Sequence, residues 1–438
     1  MKPYVNVVGA GLAGCEAAYQ IAKCGISVKL YEMKPNQYTM AHSNPNFAEI
    51  VCSNSLKSNL ITNACGLLKE ELRQLDSLLI RLADENKVPA GQALAVDREK
   101  FASAATKQIK NHPNIEIISE EVGKEITLEQ LLKEAITIVA TGPLTSSCLT
   151  EQIKQITGQK GLFFYDAAAP IVTRESIDFS VAFWADRYGK GESNYLNLPM
   201  KEEEYNAFYN ALVLAEVVTL HEFEKREIFE GCMPIEVMAK RGKDTLRFGP
   251  LKPVGFTDPR TGKRPYAIVQ LRQENNEGTL FNVVGFQTNL KFTEQKKVLR
   301  LIPGLQEVDI AKYGVMHRNT YIDSPKLLDS TYQMKENSNL YFAGQITGVE
   351  GYVESISSGM VAGINAVRQI QQQDRLIFPK ETMIGMLATY ISTPKENFQP
   401  MNANFGILPP LEETIREKKQ RYEKLAKRAL NCIQNFQK

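Results

Sequence analysis

The chain lacks most of the features that would take it out of the ordinary soluble class. No run of 18 or more apolar residues occurs, so no membrane-spanning helix is expected. The opening MKPYVNVVGAGLAG enters a strand at once, without signal-peptide architecture. The seven cysteines are odd in number and contain no CxxC pair, which excludes a disulfide framework and a zinc site. The four histidines are scattered, without metal-ligand spacing. There is no internal repeat, no low-complexity tract and no RRM or KH signature. The expectation is a cytoplasmic protein that holds no metal.

What is present suits a globular protein of two or three domains: 438 residues, 43% hydrophobic and 23% charged. Net charge is only +2, but it is unevenly spread. Lys240 to Arg264 carries +6 and Arg416 to Arg428 carries +5, so the remainder is acidic. Such clusters suit either a polyanion or a solvated face, and charge alone does not separate the two.

Residues 4–9, YVNVVG, form a short β-branched run typical of a buried parallel strand. Gly9-Ala10-Gly11-Leu12-Ala13-Gly14 follows, then a helix from Cys15 to Lys23 that stops at Gly25, then the strand ISVKLYE closing on Glu32. This strand–turn–helix–strand–acid unit specifies a dinucleotide site. Gly9 permits the tight turn, Gly11 lets diphosphate approach the backbone, and Gly14 lets helix and strand pack closely. The helix N-terminus receives the diphosphate, and Glu32 accepts the ribose hydroxyls.

Two later stretches bear on which dinucleotide binds. ITIVATG, residues 136–142, is an apolar strand ending at Gly142. NLYFAGQITGVEGYVESISSGMVAGINAV supplies a strand, a glycine-rich turn and a helix of small residues. A flavin is long, so a second glycine turn must return near its ribityl chain and ring. Gly344, Gln345, Gly351 and Tyr352 are the candidates. The arrangement resembles FAD proteins of the glutathione-reductase type, although Gly344-Gln345 stands where many of those have Gly-Asp. The fold class expected is α/β, a Rossmann-like FAD-binding domain with an inserted α+β domain. Residues 1–150 and 310–438 would form the cofactor domain and 151–309 the insertion, where APIVTRE, YAIVQLR and FNVVGFQT read as strands. The chain after Lys380 reads as mostly helical, ending in the second basic cluster.

Two cysteines stand apart. Cys52, in EIVCSNSLKS, lies among small hydrogen-bonding residues rather than in an apolar flank. Cys232 sits between Gly231 and Met233-Pro234, directly before the first basic cluster, where cations would favour a thiolate. Cys15 and Cys24 read as packing residues on the first helix, and Cys65, Cys148 and Cys432 carry no motif. His42 and His317 are conceivable substrate contacts.

NPNFAEIVCSNSLKS, FEGCMPIEVMAKRG, DTLRFGPLKPVG, VQLRQEN and FAGQITGVEGYVESISSG, with GAGLAG near the start, closely resemble the folate- and FAD-dependent tRNA (uracil-5-)-methyltransferases, flavoenzymes related to the larger tRNA-modifying protein of the carboxymethylaminomethyl-uridine pathway. The match runs from the first strand to at least residue 370. It implies methylenetetrahydrofolate as carbon donor, FAD as cofactor, NADPH or NADH as reductant, and a T-loop uridine of tRNA as acceptor. It also implies two functional cysteines, at Cys52 and Cys232. Uracil C5 is a poor nucleophile until a thiolate adds at C6. Cys232, beside the basic strip, is assigned that addition. Cys52 is expected to face the flavin, with Ser53 and Asn54 as donors to it. Arg241, Lys243, Arg247 and Lys252 are the candidate RNA phosphate contacts. A uridine of 23S ribosomal RNA as acceptor, a small-molecule flavin oxidoreductase, and a non-catalytic RNA-binding flavoprotein remain as alternatives.

Overall fold

A computed structural model describes residues 3–39, 41–159, 162–189, 194–218, 233–396 and 398–436. Its main sheet orders six strands as Gln333–Met334, Asn337–Phe342, Ile136–Val139, Tyr4–Val8, Ser27–Tyr31 and Ile115–Ile118. All neighbours are parallel except the short antiparallel strand at one edge. The central strands are covered on both faces: Val5, Val7, Ile138 and Val139 are fully buried, and so are Asn6 and Thr137, whose side chains hydrogen-bond each other. The alternating strand and helix pattern read from the sequence is thus the observed α/β class.

Leu340 pairs with Thr137, so strands almost 200 residues apart in the chain are neighbours. Between them the chain leaves along strand Leu162–Ala167 and returns along Met316–Tyr321, which pair antiparallel with each other. The excursion builds a second, antiparallel sheet. Its order is Phe183–Trp184, Tyr195–Met200, Ala267–Gln273, Leu280–Val283, Ile171–Thr173 and Ile310–Lys312. This sheet has its own core, in which Leu196, Leu198, Phe208, Leu246 and Phe281 are fully buried.

The first helix, Leu12–Ala22, packs against the helix Tyr352–Ile370 at very short range. Glycine makes this possible: a Cβ on Gly359 would stand 2.2 Å from the Ala13 carbonyl oxygen, and one on Gly363 2.9 Å from that of Ala17. The run of small residues in the later helix therefore serves close helix packing. It also brings both glycine turns to one end of the sheet.

Three local readings need correction. The first helix starts at Leu12, not Cys15, because Gly11 already serves as its N-cap. The helix ends at Ala22, so Cys24 is exposed in the turn beyond it, whereas Cys15 is fully buried as expected. Among the described residues after Lys380, only Met383–Ser392 and Lys418–Phe436 are α-helical, and the described part of the Pro- and Asn-rich chain between them is almost all irregular. The basic C-terminal helix docks on the first core through Leu425, Ala426, Ala429 and Ile433. No helix among the described residues is long and apolar enough to cross a membrane.

Candidate active site

At the carboxyl ends of the central strands lies a long cleft, about 1240 Å³ counted out to its open mouth. Gly9, Ala10, Gly11, Leu12, Ala13, Glu32, Gly142, Gly344, Gln345, Cys52 and Tyr352 all line it.

The nucleotide end is built by backbone geometry. Gly9 has φ +98°, and a Cβ there would stand 2.8 Å from the Ala140 carbonyl oxygen. A Cβ on Gly14 would stand 1.8 Å from the Gly9 oxygen, so strand turn and helix touch only because Gly14 has none. Gly11 differs: nothing lies within 4 Å of its Cβ position, which is the open room that a diphosphate approaching the helix N-terminus requires. Both carboxylate oxygens of Glu32 accept backbone N–H groups, from Ala10 at 2.8 Å and Lys34 at 2.9 Å. The carboxylate is thereby fixed at the cleft wall and keeps lone pairs for ribose hydroxyls. These features fit the adenosine diphosphate half of a dinucleotide.

The second turn closes the other half. Gly344 adopts φ +83°, and its N–H donates to the Ser358 hydroxyl at 2.6 Å. The Gln345 amide donates to Glu350, so a carboxylate stands behind the glutamine even though the Gly-Asp dipeptide is missing. Gly351, at φ +124°, N-caps the helix that begins with Tyr352, and its own residue lies just outside the cleft lining.

Tyr352 carries the cleft to Cys52. Its phenol oxygen accepts the backbone N–H of Cys52 at 2.9 Å and that of Ser53 at 3.3 Å, and lies 2.8 Å from Cys52 Sγ. Burial, followed by the neighbouring thiol, pushes the phenol pKa well up, so the hydroxyl keeps its proton and can donate it to sulfur. Beneath this segment Arg98 donates to the carbonyls of Ile50 and Val51 and pairs with Glu274 at 2.6 Å. Burial opposes the Arg98 charge, but Glu274 more than offsets it and its pKa is raised.

Ser53 and Asn54 lie outside the cleft lining. Asn54 is fully buried, accepts from Arg272 Nε at 2.8 Å and donates to the carbonyls of Val96 and Gln273. Arg272 also donates to the Ser53 hydroxyl at 2.8 Å. The small polar residues beside Cys52 thus tie its loop to the second sheet. His42 does line the cleft and shares a 2.6 Å hydrogen bond with Thr39. The side chain of His317 is not described. Residues not singled out from the sequence complete the site: Arg98 and Lys34, which lie in none of the quoted motifs, and Arg272, Glu274 and Glu49, which lie within VQLRQEN and NPNFAEIVCSNSLKS; Lys34 and Glu49 pair at 3.3 Å. Their roles arise from partners more than ten residues distant, which no local pattern records.

Cys232 falls outside the described residues, so its position relative to Cys52 is not stated. The chain resumes at Met233, and the basic strip follows on helices Ile235–Lys240 and Thr245–Phe248. Arg241 and Lys243 are exposed and Lys252 is partly so. Arg247 is committed internally: it donates to Asp244 and the Tyr266 carbonyl, and stacks 3.6 Å from the Tyr266 ring centroid. None of these four lines the cleft.

Fold and cleft together define an FAD-type dinucleotide-binding α/β protein with an inserted antiparallel-sheet unit. The solved structure of GidA from Aquifex aeolicus (form II crystal) has the same fold. Its TM-score is 0.71 at 17% identity, covering 99% of this chain and 73% of that one. The family profile of glucose inhibited division protein A matches residues 4–374. Methylenetetrahydrofolate--tRNA-(uracil-5-)-methyltransferase TrmFO of Halalkalibacterium halodurans is 59% identical over 437 residues, covering 100% of this chain and 99% of that protein. The protein of the same name from Bacillus velezensis is 60% identical over 435 residues, covering 99% and 98%. The chain belongs to the glucose inhibited division protein A family and, within it, to the group of the methylenetetrahydrofolate--tRNA-(uracil-5-)-methyltransferases.

Proposed function

We propose that the protein methylates C5 of a uracil in tRNA, taking the carbon from methylenetetrahydrofolate. The observation that carries this reading is the full-length identity of about 59% to relatives of that name, with Cys52 and Tyr352 placed on a dinucleotide cleft. The T-loop uridine is the assigned acceptor, and the cytoplasm the assigned location. When bound, reduced FAD supplies the hydride that makes the transferred carbon a methyl, and NADPH or NADH reloads it.

The chain's own residues do the rest. Cys232 adds as thiolate to uracil C6, which makes C5 nucleophilic, and leaves again when the C5 proton is lost. Cys52, held by Tyr352 at the inner end of the cleft, is the base that takes that proton. The parallel-sheet part of the chain serves as the cofactor unit and the antiparallel-sheet part, which runs on beyond residue 309 to the strand Ile310–Lys312, as the RNA-facing unit. Arg241, Lys243 and Lys252 hold phosphates there, while the uridine is splayed out of its loop to reach the thiol.

Trapping tests this. Incubation with tRNA carrying 5-fluorouridine should yield a covalent protein–RNA adduct mapped to Cys232, absent from C232A. No adduct with wild-type protein, or one retained by C232A, would overturn the assignment.

A further inference from the structure

The first basic cluster carries an aromatic side chain that the fold holds outside its cores. Tyr188, just past the edge strand Phe183–Trp184, is 59% exposed and lies in the left-handed region at φ +66°. A bulky residue adopts that conformation only where its surroundings impose it. Here the basic cluster imposes it. The Tyr188 N–H donates to the Gly255 carbonyl at 2.8 Å. Arg187 donates to the carbonyls of Lys252 at 3.1 Å and Val254 at 2.6 Å, and its guanidinium lies 4.9 Å from the Phe256 ring centroid. Gly255, at φ +88°, makes room for the ring: a Cβ there would stand 2.9 Å from Tyr188 Cδ1 and Cε1. One side of the ring is thus seated on backbone while most of it stays open. Lys252 on the same segment is partly exposed, and Lys263 and Arg264 are exposed. The one acid between Lys252 and Arg264, Asp258, is taken up by Arg260 at 2.9 Å. The same hairpin also reaches the Cys52 loop. The Ala185 N–H donates to the Tyr195 carbonyl at 3.1 Å, Tyr195 pairs with Arg272 across the sheet, and Arg272 holds the Ser53 hydroxyl at 2.8 Å.

We propose that Tyr188 is a stacking platform for an unpaired nucleobase of the RNA substrate, set among the cations that hold its phosphates. Every base has a π-face, so a seated aromatic ring takes any of them and contributes affinity and position rather than base identity. The ring is fixed before binding, so little side-chain freedom is lost when a base lands on it. Net positive charge around a single exposed ring suits a polyanion with flat bases, and a protein partner would call for a contiguous apolar patch instead. The inference rests on the reading of RNA as substrate, but its test does not need methyl transfer.

Flavin-loaded protein is titrated with unmodified tRNA transcript in filter binding over a series of salt concentrations. Y188A and Y188L should bind about tenfold more weakly with an unchanged salt slope, because the lost contact is uncharged. Y188F and Y188W should stay within about threefold of wild type, since each keeps a π-face. K252A is the contrast and should lower the slope by about one. Leucine keeps bulk without aromaticity and so separates stacking from packing, while flavin content and circular dichroism report folding. Wild-type affinity in both Y188A and Y188L, or a Phe variant as weak as Ala, would overturn the proposal. So would weakened binding of methylenetetrahydrofolate with tRNA affinity unchanged, which would give the ring to the pterin. Wild-type protein that binds tRNA, with these variant affinities as described, but does not methylate it would instead remove the proposed function and leave the role of Tyr188 intact.

Discussion

Gly11→Ala separates the fold from the cofactor site. Gly11 has φ −74° and ψ −168°, extended backbone that alanine adopts without strain, and nothing lies within 4 Å of the new methyl. Reduced freedom of the unfolded chain favours alanine by about 0.4–1 kcal/mol. Alanine is the poorer N-cap by roughly 0.5–1 kcal/mol, so the two effects nearly offset and apoprotein stability should change by less than about 1 kcal/mol. The same methyl occupies the space that diphosphate needs. Displacing the diphosphate by an ångström would remove two charge-assisted hydrogen bonds from the helix N-terminus, at about 1.5–3 kcal/mol each. Loss of about 3 kcal/mol or more weakens flavin binding over a hundredfold. G11A should therefore purify nearly colourless, by the ratio of absorbance at 450 to 280 nm, with an apoprotein melting temperature close to wild type. Gly14→Ala is the contrast, since its methyl would meet the Gly9 oxygen at 1.8 Å and the variant should fail to fold stably. A G11A protein that binds FAD as tightly as wild type, or an unfolded apoprotein, would refute this placement of the diphosphate.

Three further outcomes follow from single contacts. Asn54→Ala leaves the buried Arg272 Nε and two carbonyls without partners, and should lower stability by roughly 2–4 kcal/mol in urea unfolding. Glu71 accepts the N–H groups of Met383 and Ile384 at the start of the later helix, and burial pushes its carboxyl from the ordinary 4.5 up to about 8. A carboxyl raised on folding contributes its stability fully below about pH 4.5 and loses it as pH rises toward about 8. Melting temperatures of wild type should therefore decline relative to E71Q across that window, and parallel curves would contradict the shift. In filter binding, K243A should reduce the salt slope of tRNA affinity by about one, whereas R247A should leave the slope and lower the melting temperature. The reason is that Arg247 is clamped on Tyr266 while Lys243 is exposed.

The cofactor half was the more legible part of the sequence because its determinants are local. Gly9, Gly11, Gly14 and Glu32 lie within one strand–helix–strand unit; the Gly14 clash and the Gly11 opening arise inside it, while the Gly9 clash is with the Ala140 carbonyl beyond it. The small-residue helix was visible too, although its partner, the first helix, was not. What stayed hidden depends on long-range pairing. Ser53 and Asn54 pointed to polar chemistry, yet their partner is Arg272, over two hundred residues on. In the basic strip, charge counting could not tell Arg247, which holds its own helix, from Lys243, which is open to solvent.

The central claim is a carbon transfer, and following that carbon tests it most directly. Flavin-loaded protein would be incubated with NADPH, methylenetetrahydrofolate carrying ¹³C in its one-carbon unit, and unmodified tRNA or ribosomal RNA transcripts offered separately. Digested RNA would then be read by mass spectrometry. The account predicts ¹³C in the methyl group of 5-methyluridine from the tRNA T-loop, with none when folate is omitted. Label confined to ribosomal RNA, or 5-methyluridine formed without the labelled carbon, would contradict it.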